Sequence, residues 1–97
     1  MSYGFHPAAE AEHLESVAWF ESKRSGLSAF YLSDFEGMMA QVCKTPRRYP
    51  MEKDSGIRLA RMKRFPYTVH FLEISGSIQV LAVAHHRRRP GYWLGRL

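Results

Sequence analysis

Apolar side chains in the first quarter of the chain recur at the spacing of an amphipathic helix. Over residues 7–24 they form a broad stripe and do not alternate with polar residues, which predicts a helix. Pro7 suits its first turn, because a helix leaves the backbone N–H unpaired there in any case. The glutamates of this segment are expected to face water. The predicted buried stripe consists of Leu14, Val17, Ala18, Trp19 and Phe20.

A second helix is predicted over residues 27–44. Its apolar positions lie three or four residues apart and therefore share one face. Gly26, in the short turn before it, is expected to adopt a left-handed conformation. Two helices joined by so short a turn pack antiparallel, as a helical hairpin. The predicted face consists of Leu27, Tyr31, Phe35, Met38 and Val42, widened by Phe30 and Met39.

The second half of the chain changes to the period of two that is typical of strands. Thr45 and Pro46 end the second helix, and a charged connector follows them. Ser75 and Gly76 predict a tight turn between the last two strands, which then form a hairpin. The final strand is apolar on both faces, so we expect it to be central or well covered. Extended segments are predicted at 3–6, 57–63, 67–74 and 78–85.

The order strand, helix, helix, strand, strand, strand predicts an α+β fold. A helical hairpin must bury its apolar stripe, and an antiparallel sheet must bury one face. Packing the two-helix antiparallel hairpin on a small twisted antiparallel sheet satisfies both requirements. A chain of 97 residues has room for one core, so we expect a single domain that spans residues 1–97.

Cysteine content and hydropathy indicate the compartment. The single Cys43 cannot form an internal disulfide, which favours a reducing cytoplasm. No apolar stretch approaches the roughly 20 residues that a membrane span needs. The first residues lack the basic and apolar regions of a signal peptide. We therefore expect a cytoplasmic protein with no membrane association.

Charge is distributed unevenly along the chain, whose formal net charge is +5. Residues 1–43 contain six acidic and two basic residues, a balance of −4. Residues 44–97 contain twelve basic and three acidic residues, a balance of +9. This asymmetry favours a polyanionic or acidic partner for the second half. A solvated basic face with no partner is the alternative interpretation.

The segment after the last strand concentrates the candidate chemistry. It has no carboxylate and begins where a strand presents its end at the edge of the sheet. Guanidinium groups suit phosphate and carboxylate ligands, and a histidine in this place can act as a general acid or base. A solubilising tail is the alternative for the arginines. The candidates are His85, His86, Arg87, Arg88, Arg89, Tyr92 and Trp93, with Arg64 from the preceding bend.

Other kinds of site find little support in the sequence. Adjacent histidines on a strand point to opposite faces, and Cys43 has no cysteine partner, so we predict no metal site. No phosphate loop, hydrolase nucleophile motif or zinc-protease motif is present, and no cofactor is expected. Tyr92 and Trp93 can stack on bases or pack against the sheet, and for Trp93 packing is the preferred interpretation.

Five short segments, taken together, carry a resemblance to a known family. They are FHPAAEAE at 5–12, WFE at 19–21, PRRYP at 46–50, RFPY at 64–67 and VAHHRRRPGYW at 83–93. In this order and over nearly the full length, the chain resembles the RelE/ParE superfamily of bacterial type II toxins, on the ParE-like or plasmid-stabilisation branch. The resemblance implies a cytoplasmic toxin that a cognate acidic antitoxin neutralises in a hetero-oligomer.

Two targets divide that superfamily. ParE-like members poison DNA gyrase without a catalytic centre of their own. By this resemblance, a docking surface would include Arg64, His86, Arg88, Arg89 and Trp93, together with Arg87 and Tyr92. RelE-like members cut messenger RNA in the ribosome. A third interpretation is a non-toxic basic interaction domain.

For the ribonuclease, the resemblance implies roles for His85, Arg87 and Tyr92. His85 would accept the 2′-hydroxyl proton, Arg87 or Arg64 would stabilise the phosphate, and Tyr92 would orient the base or protonate the leaving oxygen. Ribonuclease members have a basic residue where this chain has Thr68, and their lysine-rich strand is only partly matched. A gyrase-type target is therefore favoured.

Overall fold

A computed structural model describes residues 1–53 and 55–97 of the chain. Two 3₁₀ turns, at Pro46–Arg48 and Leu94–Arg96, accompany the main elements. The predicted α+β class and the order β-α-α-β-β-β are confirmed. The strands and helices are β1 (Tyr3–Phe5), α1 (Pro7–Lys23), α2 (Leu27–Lys44), β2 (Arg58–Arg61), β3 (Tyr67–Ile74) and β4 (Ser77–His85).

The four strands form one sheet in the order β1-β4-β3-β2. β2, β3 and β4 are antiparallel neighbours, as predicted. β1 instead lies parallel to β4, with Tyr3 opposite Ile78 and Phe5 opposite Val80. The sheet is therefore mixed, a departure from the predicted antiparallel sheet. The chain reaches β4 only after the helical hairpin and two other strands, so no tight turn imposes an antiparallel pair.

A β-bulge divides the central strand β4. Phe71 lies opposite Val80 and His70 lies opposite Ala82, so Leu81 has no partner residue on β3. An extra residue reverses the faces that the following side chains take. The apolar side chains of β4 therefore point to both faces of the sheet, and both faces are buried, which confirms the prediction that this strand is central and covered. Ile78, Val80 and Val83 join the core under the helices, and Leu81 and Ala82 join a second cluster on the opposite face.

Helix α1 buries a set of residues that shares only Phe20 with the predicted stripe. The buried residues are spaced by four, three and four positions: Ala9, His13, Ser16 and Phe20. Leu14 and Trp19 are 60% and 54% exposed, so their predicted burial is wrong. A partner on α2 explains why the core accepts His13, whose Nδ1 lies 3.2 Å from the Tyr31 hydroxyl.

Helix α2 buries most of its predicted face. Tyr31, Phe35, Met39 and Val42 are fully buried, while Phe30 is 59% exposed. Gly26 adopts φ 89°, which confirms the predicted left-handed turn between the helices. The carboxylate of Glu21 accepts hydrogen bonds from the Gly26 N–H at 3.0 Å and the Ser28 hydroxyl at 2.6 Å. The Ser28 N–H also donates to Glu21, at 3.3 Å, so a side chain of the first helix satisfies two backbone N–H groups at the start of the second.

The C-terminal segment, residues 86–97 after β4, covers the sheet face that the helices leave open. Trp93 is 3% exposed and packs in the second cluster with Ile57, Leu81 and Ala82. This segment adds a partial third layer to the predicted two. It allows β4 to be apolar on both sides without exposing either.

No helix in the described part of the chain combines the length and the apolar character needed to cross a bilayer. Among the same residues, no group of three or more His, Cys, Asp or Glu side chains is arranged to hold a metal ion.

Candidate functional site

The predicted cationic residues meet at one end of the sheet. The bend between β2 and β3 reaches the end of β4, because the His86 N–H donates to the Pro66 carbonyl at 2.9 Å and Tyr67 lies opposite His85. Arg64 thus reaches the neighbourhood of the C-terminal arginines even though β2 and β4 are not adjacent strands. We call this surface the basic end; it consists of Lys63, Arg64, His86, Arg87, Arg88 and Arg89, all exposed.

The basic end has no acidic partner within the described residues. The ion pairs found there join Arg47 to Glu73 and Arg96 to Glu12, and neither pair involves a residue of the basic end. Like charges held together without a counter-charge create a positive potential that attracts polyanions and acidic proteins. The surface is thus suited to docking an acidic partner.

His85 and His86 differ in their surroundings. His86 is exposed, while the half-buried ring of His85 lies edge-on to Tyr67 with centroids 5.2 Å apart. The Arg87 N–H donates to Nδ1 of His85 at 3.1 Å. When the ring is neutral, its proton must then reside on Nε2, which leaves no free ring nitrogen to accept another. In this arrangement His85 is not set up as a general base.

Tyr92 is also committed to contacts within the protein. Its hydroxyl donates to Oε2 of Glu12 at 2.6 Å, and the Arg88 guanidinium lies 4.0 Å from the ring centroid. Burial, followed by the hydrogen bond and the charge of Glu12, raises the pKa of Tyr92 above its ordinary value. The phenol therefore has neither a free proton to give to a substrate nor an exposed ring face on the Arg88 side.

Trp93 does not lie on the docking surface that the resemblance implies. Its ring is buried and lies 4.9 Å from the imidazole of His70, centroid to centroid. Core packing, the preferred interpretation from the sequence, is thus what the structure shows. The reason is the apolar face of the sheet, which would otherwise be left open to water.

A partly buried network around Glu12 corrects, for this residue, the expectation that the glutamates of α1 face water. Arg96 donates to both carboxylate oxygens, at 2.9 and 3.0 Å, and also to the Leu81 carbonyl at 2.9 Å. The Val83 N–H donates to Oε1 of Glu12 at 3.0 Å. Because β1 ends at Phe5, these two backbone groups of β4 have no strand beside them, and Glu12 and Arg96 satisfy them instead.

The surroundings of Glu12 set its protonation. Burial alone would raise the pKa of Glu12, but the hydrogen bonds from Arg96, Tyr92 and Val83 and the charge of Arg96 hold it below the ordinary value. The carboxylate is thus kept ionised. The sequence does carry a signal for this burial, since Ala9, Glu12 and Ser16 are three and four residues apart.

A groove between α2 and the edge strand β2 was not predicted. It has a volume of about 700 Å³ and shares Lys63 and Arg64 with the basic end. We call it the basic groove. The sequence predicts Arg64 as a site residue but not the α2 wall, because the two walls are distant in sequence. Its lining residues are Phe30, Ser33, Asp34, Gly37, Met38, Gln41, Thr45, Arg48, Tyr49, Arg61, Lys63 and Arg64.

Comparison with known proteins adds no family to this geometry. No protein-family model matches the chain, and no curated protein matches it significantly. The resemblance to the RelE/ParE superfamily therefore depends on the five sequence segments and stays a prediction.

Proposed function

We propose that this protein is the toxin of a bacterial type II toxin–antitoxin pair and that it inhibits growth by binding its target, with DNA gyrase as the favoured target. The observation that carries the proposal is the basic end, a cluster of exposed cations without an acidic partner among the described residues. The resemblance supplies the class of protein, and the cluster supplies a surface on which a macromolecule can dock.

Target binding is favoured over catalysis because two of the three residues with implied catalytic roles are engaged in hydrogen bonds within the protein. His85 accepts from a backbone N–H, and the Tyr92 hydroxyl donates to Glu12. Only Arg87 is exposed. Thr68, which stands where ribonuclease members have a basic residue, lies within β3 opposite Ala84 and supplies no charge.

The proposed partner in the resting state is an acidic antitoxin. The second half of the chain carries the positive balance, and all residues of the basic end belong to it. A disordered acidic segment that folds on the basic end would cover its cations and produce a hetero-oligomer. The proposed setting is the bacterial cytoplasm.

The test is a supercoiling assay with purified gyrase beside a cleavage assay with ribosome-bound messenger RNA. We expect the protein to inhibit supercoiling and to leave the messenger whole. Arg87→Ala combined with Arg89→Ala should abolish inhibition, because the docking surface loses two charges. Tyr92→Phe should retain it, because the ring stays and no phenol chemistry is needed.

The opposite pattern would contradict the proposal. Cleaved messenger with unaffected gyrase, abolished by His85→Gln, would identify a ribonuclease. Activity in neither assay, together with normal growth of cells that express the protein, would leave a non-toxic basic interaction domain.

A further inference from the structure

The basic groove has two walls of different chemistry. Arg48, Arg61, Lys63 and Arg64 bring four exposed cations, and Phe30 brings an aromatic ring that is 59% exposed. None of the cations forms an ion pair with the described residues. None of the three residues with implied catalytic roles lines the groove.

The α2 wall follows one face of the helix. Phe30 and Asp34 are four residues apart, so their side chains are neighbours on the helix surface. The lining residues continue along that face to Thr45. At 1.5 Å per residue, this wall is roughly 20 Å long. Such a length accommodates several nucleotides of an extended strand.

Asp34 supplies a hydrogen-bond acceptor that the protein does not use. Its Oδ2 atom is buried and has no hydrogen-bond partner among the described residues, although cations line the same groove. An unsatisfied carboxylate oxygen is costly, so a group that donates to it gains binding energy. Because Oδ2 is shielded from solvent, a base can reach it only after the carboxylate turns toward the groove. The terminal torsion of an aspartate is soft, which allows this turn and lets both oxygens face a pair of donors.

We infer that the basic groove binds single-stranded nucleic acid, with backbone phosphates on the cations of the β2 side, one base stacked on Phe30, and Asp34 accepting from that base. A positively charged groove with exposed aromatic rings is the arrangement by which proteins hold single strands. A carboxylate beside the stacked base selects for adjacent N–H donors on its Watson–Crick edge. Guanine, with N1–H and N2–H₂, presents that pair.

An acidic peptide is the other occupant that four cations would attract. Asp34 argues against it, because its carboxylate repels a glutamate or aspartate beside it, whereas a nucleic acid can place a neutral base there and keep its phosphates on the cations. An exposed aromatic ring next to an acceptor matches a base better than it matches a carboxylate side chain. The inference concerns a surface beyond the basic end, and it does not depend on whether the protein is toxic.

The experiment measures fluorescence anisotropy of labelled eight-nucleotide strands, one with two central guanines and one of thymine only, with RNA counterparts that contain uracil. For the intact protein we expect the guanine strand to bind about tenfold more tightly than the thymine strand at low salt. RNA and DNA arms of matched sequence show which sugar the groove accepts.

Three variants and a control assign the roles. Asp34→Asn should remove the guanine preference and leave thymine binding at least as tight. Phe30→Ala should weaken all strands about tenfold, because stacking is lost. Arg61→Ala with Lys63→Ala should weaken all strands and reduce the slope of log affinity against log salt by about 1.4. Lys23→Ala with Arg24→Ala, two exposed cations at the end of α1, is the charge-matched control and should change nothing.

Several results would overturn the inference. Equal affinity for the guanine and thymine strands would show that Asp34 does not recognise guanine and would contradict the proposed site. A guanine preference that persists in Asp34→Asn would contradict it in the same way. Loss of binding in Arg87→Ala with Arg89→Ala, but not in the groove variant, would move the site to the basic end. A glutamate-rich peptide that binds through Arg61 and Lys63 where oligonucleotides do not would make the groove a protein-docking site. None of these outcomes depends on the gyrase assay.

Discussion

The carboxylate of Glu12 joins three parts of the chain that are far apart in sequence. It links α1 to the open edge of β4 and to the C-terminal segment, through Val83, Tyr92 and Arg96. The side chains of Arg96 and Glu12 are only 16% and 13% exposed. At such low exposure, removal of one partner leaves the other charge without compensation.

We predict that Glu12→Ala lowers the free energy of unfolding by about 3 kcal/mol, because Arg96 and the Val83 N–H both lose their acceptor. Glu15→Ala, an exposed glutamate of the same helix, should change it by less than about 0.5 kcal/mol. Urea denaturation of both variants measures the difference. Equal stabilities would show that the network does not contribute to the fold.

The buried His13 and the half-buried His70 make stability depend on pH. Burial lowers the pKa of His13, against opposing effects of Glu36 and Glu10, and burial likewise lowers the pKa of His70, against Glu52 and Glu12. Each ring is therefore protonated more readily in the unfolded chain than in the folded one. Their stabilising contribution is present above the ordinary pKa, about 6.5, and is lost as the pH falls below it.

We predict that the free energy of unfolding declines between pH 7.5 and pH 5.5, and that His13→Gln makes this decline shallower. His70→Gln should do the same independently. His86→Gln, which changes an exposed residue, is the control and should keep the slope of the intact protein. Urea titrations at the two pH values give the slope of the unfolding free energy against pH. If His13→Gln and His70→Gln both kept the slope of the intact protein, the prediction would be contradicted.

At the scale of elements, substitution by alanine should change stability in opposite directions at Gly26 and Gly37, although both positions have space for a methyl group. A Cβ on Gly26 or on Gly37 would meet no heavy atom within 4 Å. Gly26 lies in the interhelical turn at φ 89°, whereas Gly37 lies inside α2. Backbone conformation alone therefore decides the sign of each effect.

We predict that Gly26→Ala destabilises the protein by about 1 kcal/mol and that Gly37→Ala stabilises it by about 0.5–1 kcal/mol. The first forces an L-residue into the left-handed region, and the second removes the entropy cost of glycine in a helix. Thermal unfolding of the two variants should move the midpoint in opposite directions. A destabilising Gly37→Ala would mean that α2 needs a close approach at that position.

At the scale of the whole molecule, the two tryptophans report on different layers. Trp93 fills the cluster between the sheet and the C-terminal segment, while Trp19 is exposed on the outer surface of the helical hairpin. The C-terminal segment is thus a structural layer, and its arginines are presented from an anchored support.

We predict that Trp93→Ala costs about 3 kcal/mol, because it opens a cavity over Leu81 and Ala82. Trp19→Ala should cost less than about 0.5 kcal/mol. Denaturation monitored by circular dichroism compares the two without relying on tryptophan emission. If both variants kept the stability of the intact protein, the C-terminal segment would not be a layer of the fold.

Much of the candidate site was predictable because its residues follow one another. The arginines of the basic end stand in one run after β4, and that run is exposed as expected. The run does not predict which contacts the residues next to it, Tyr92 and Trp93, make within the protein. Tyr92 is engaged by Glu12, 80 residues away, and Trp93 by a sheet face that exists only once the strands are paired.

The sequence by itself determined the two helices, the turn at Gly26, the strand hairpin and the segregation of charge, since periodicity, turn residues and composition are local properties. The folded chain was needed to show that β1 joins β4 in parallel and that Glu12 pairs with Arg96 at a separation of 84 residues. It was also needed to show that Phe30 and Asp34 line the same groove as Arg61, Lys63 and Arg64. Contacts between distant segments depend on how the elements pack, and packing is a property of the folded chain as a whole.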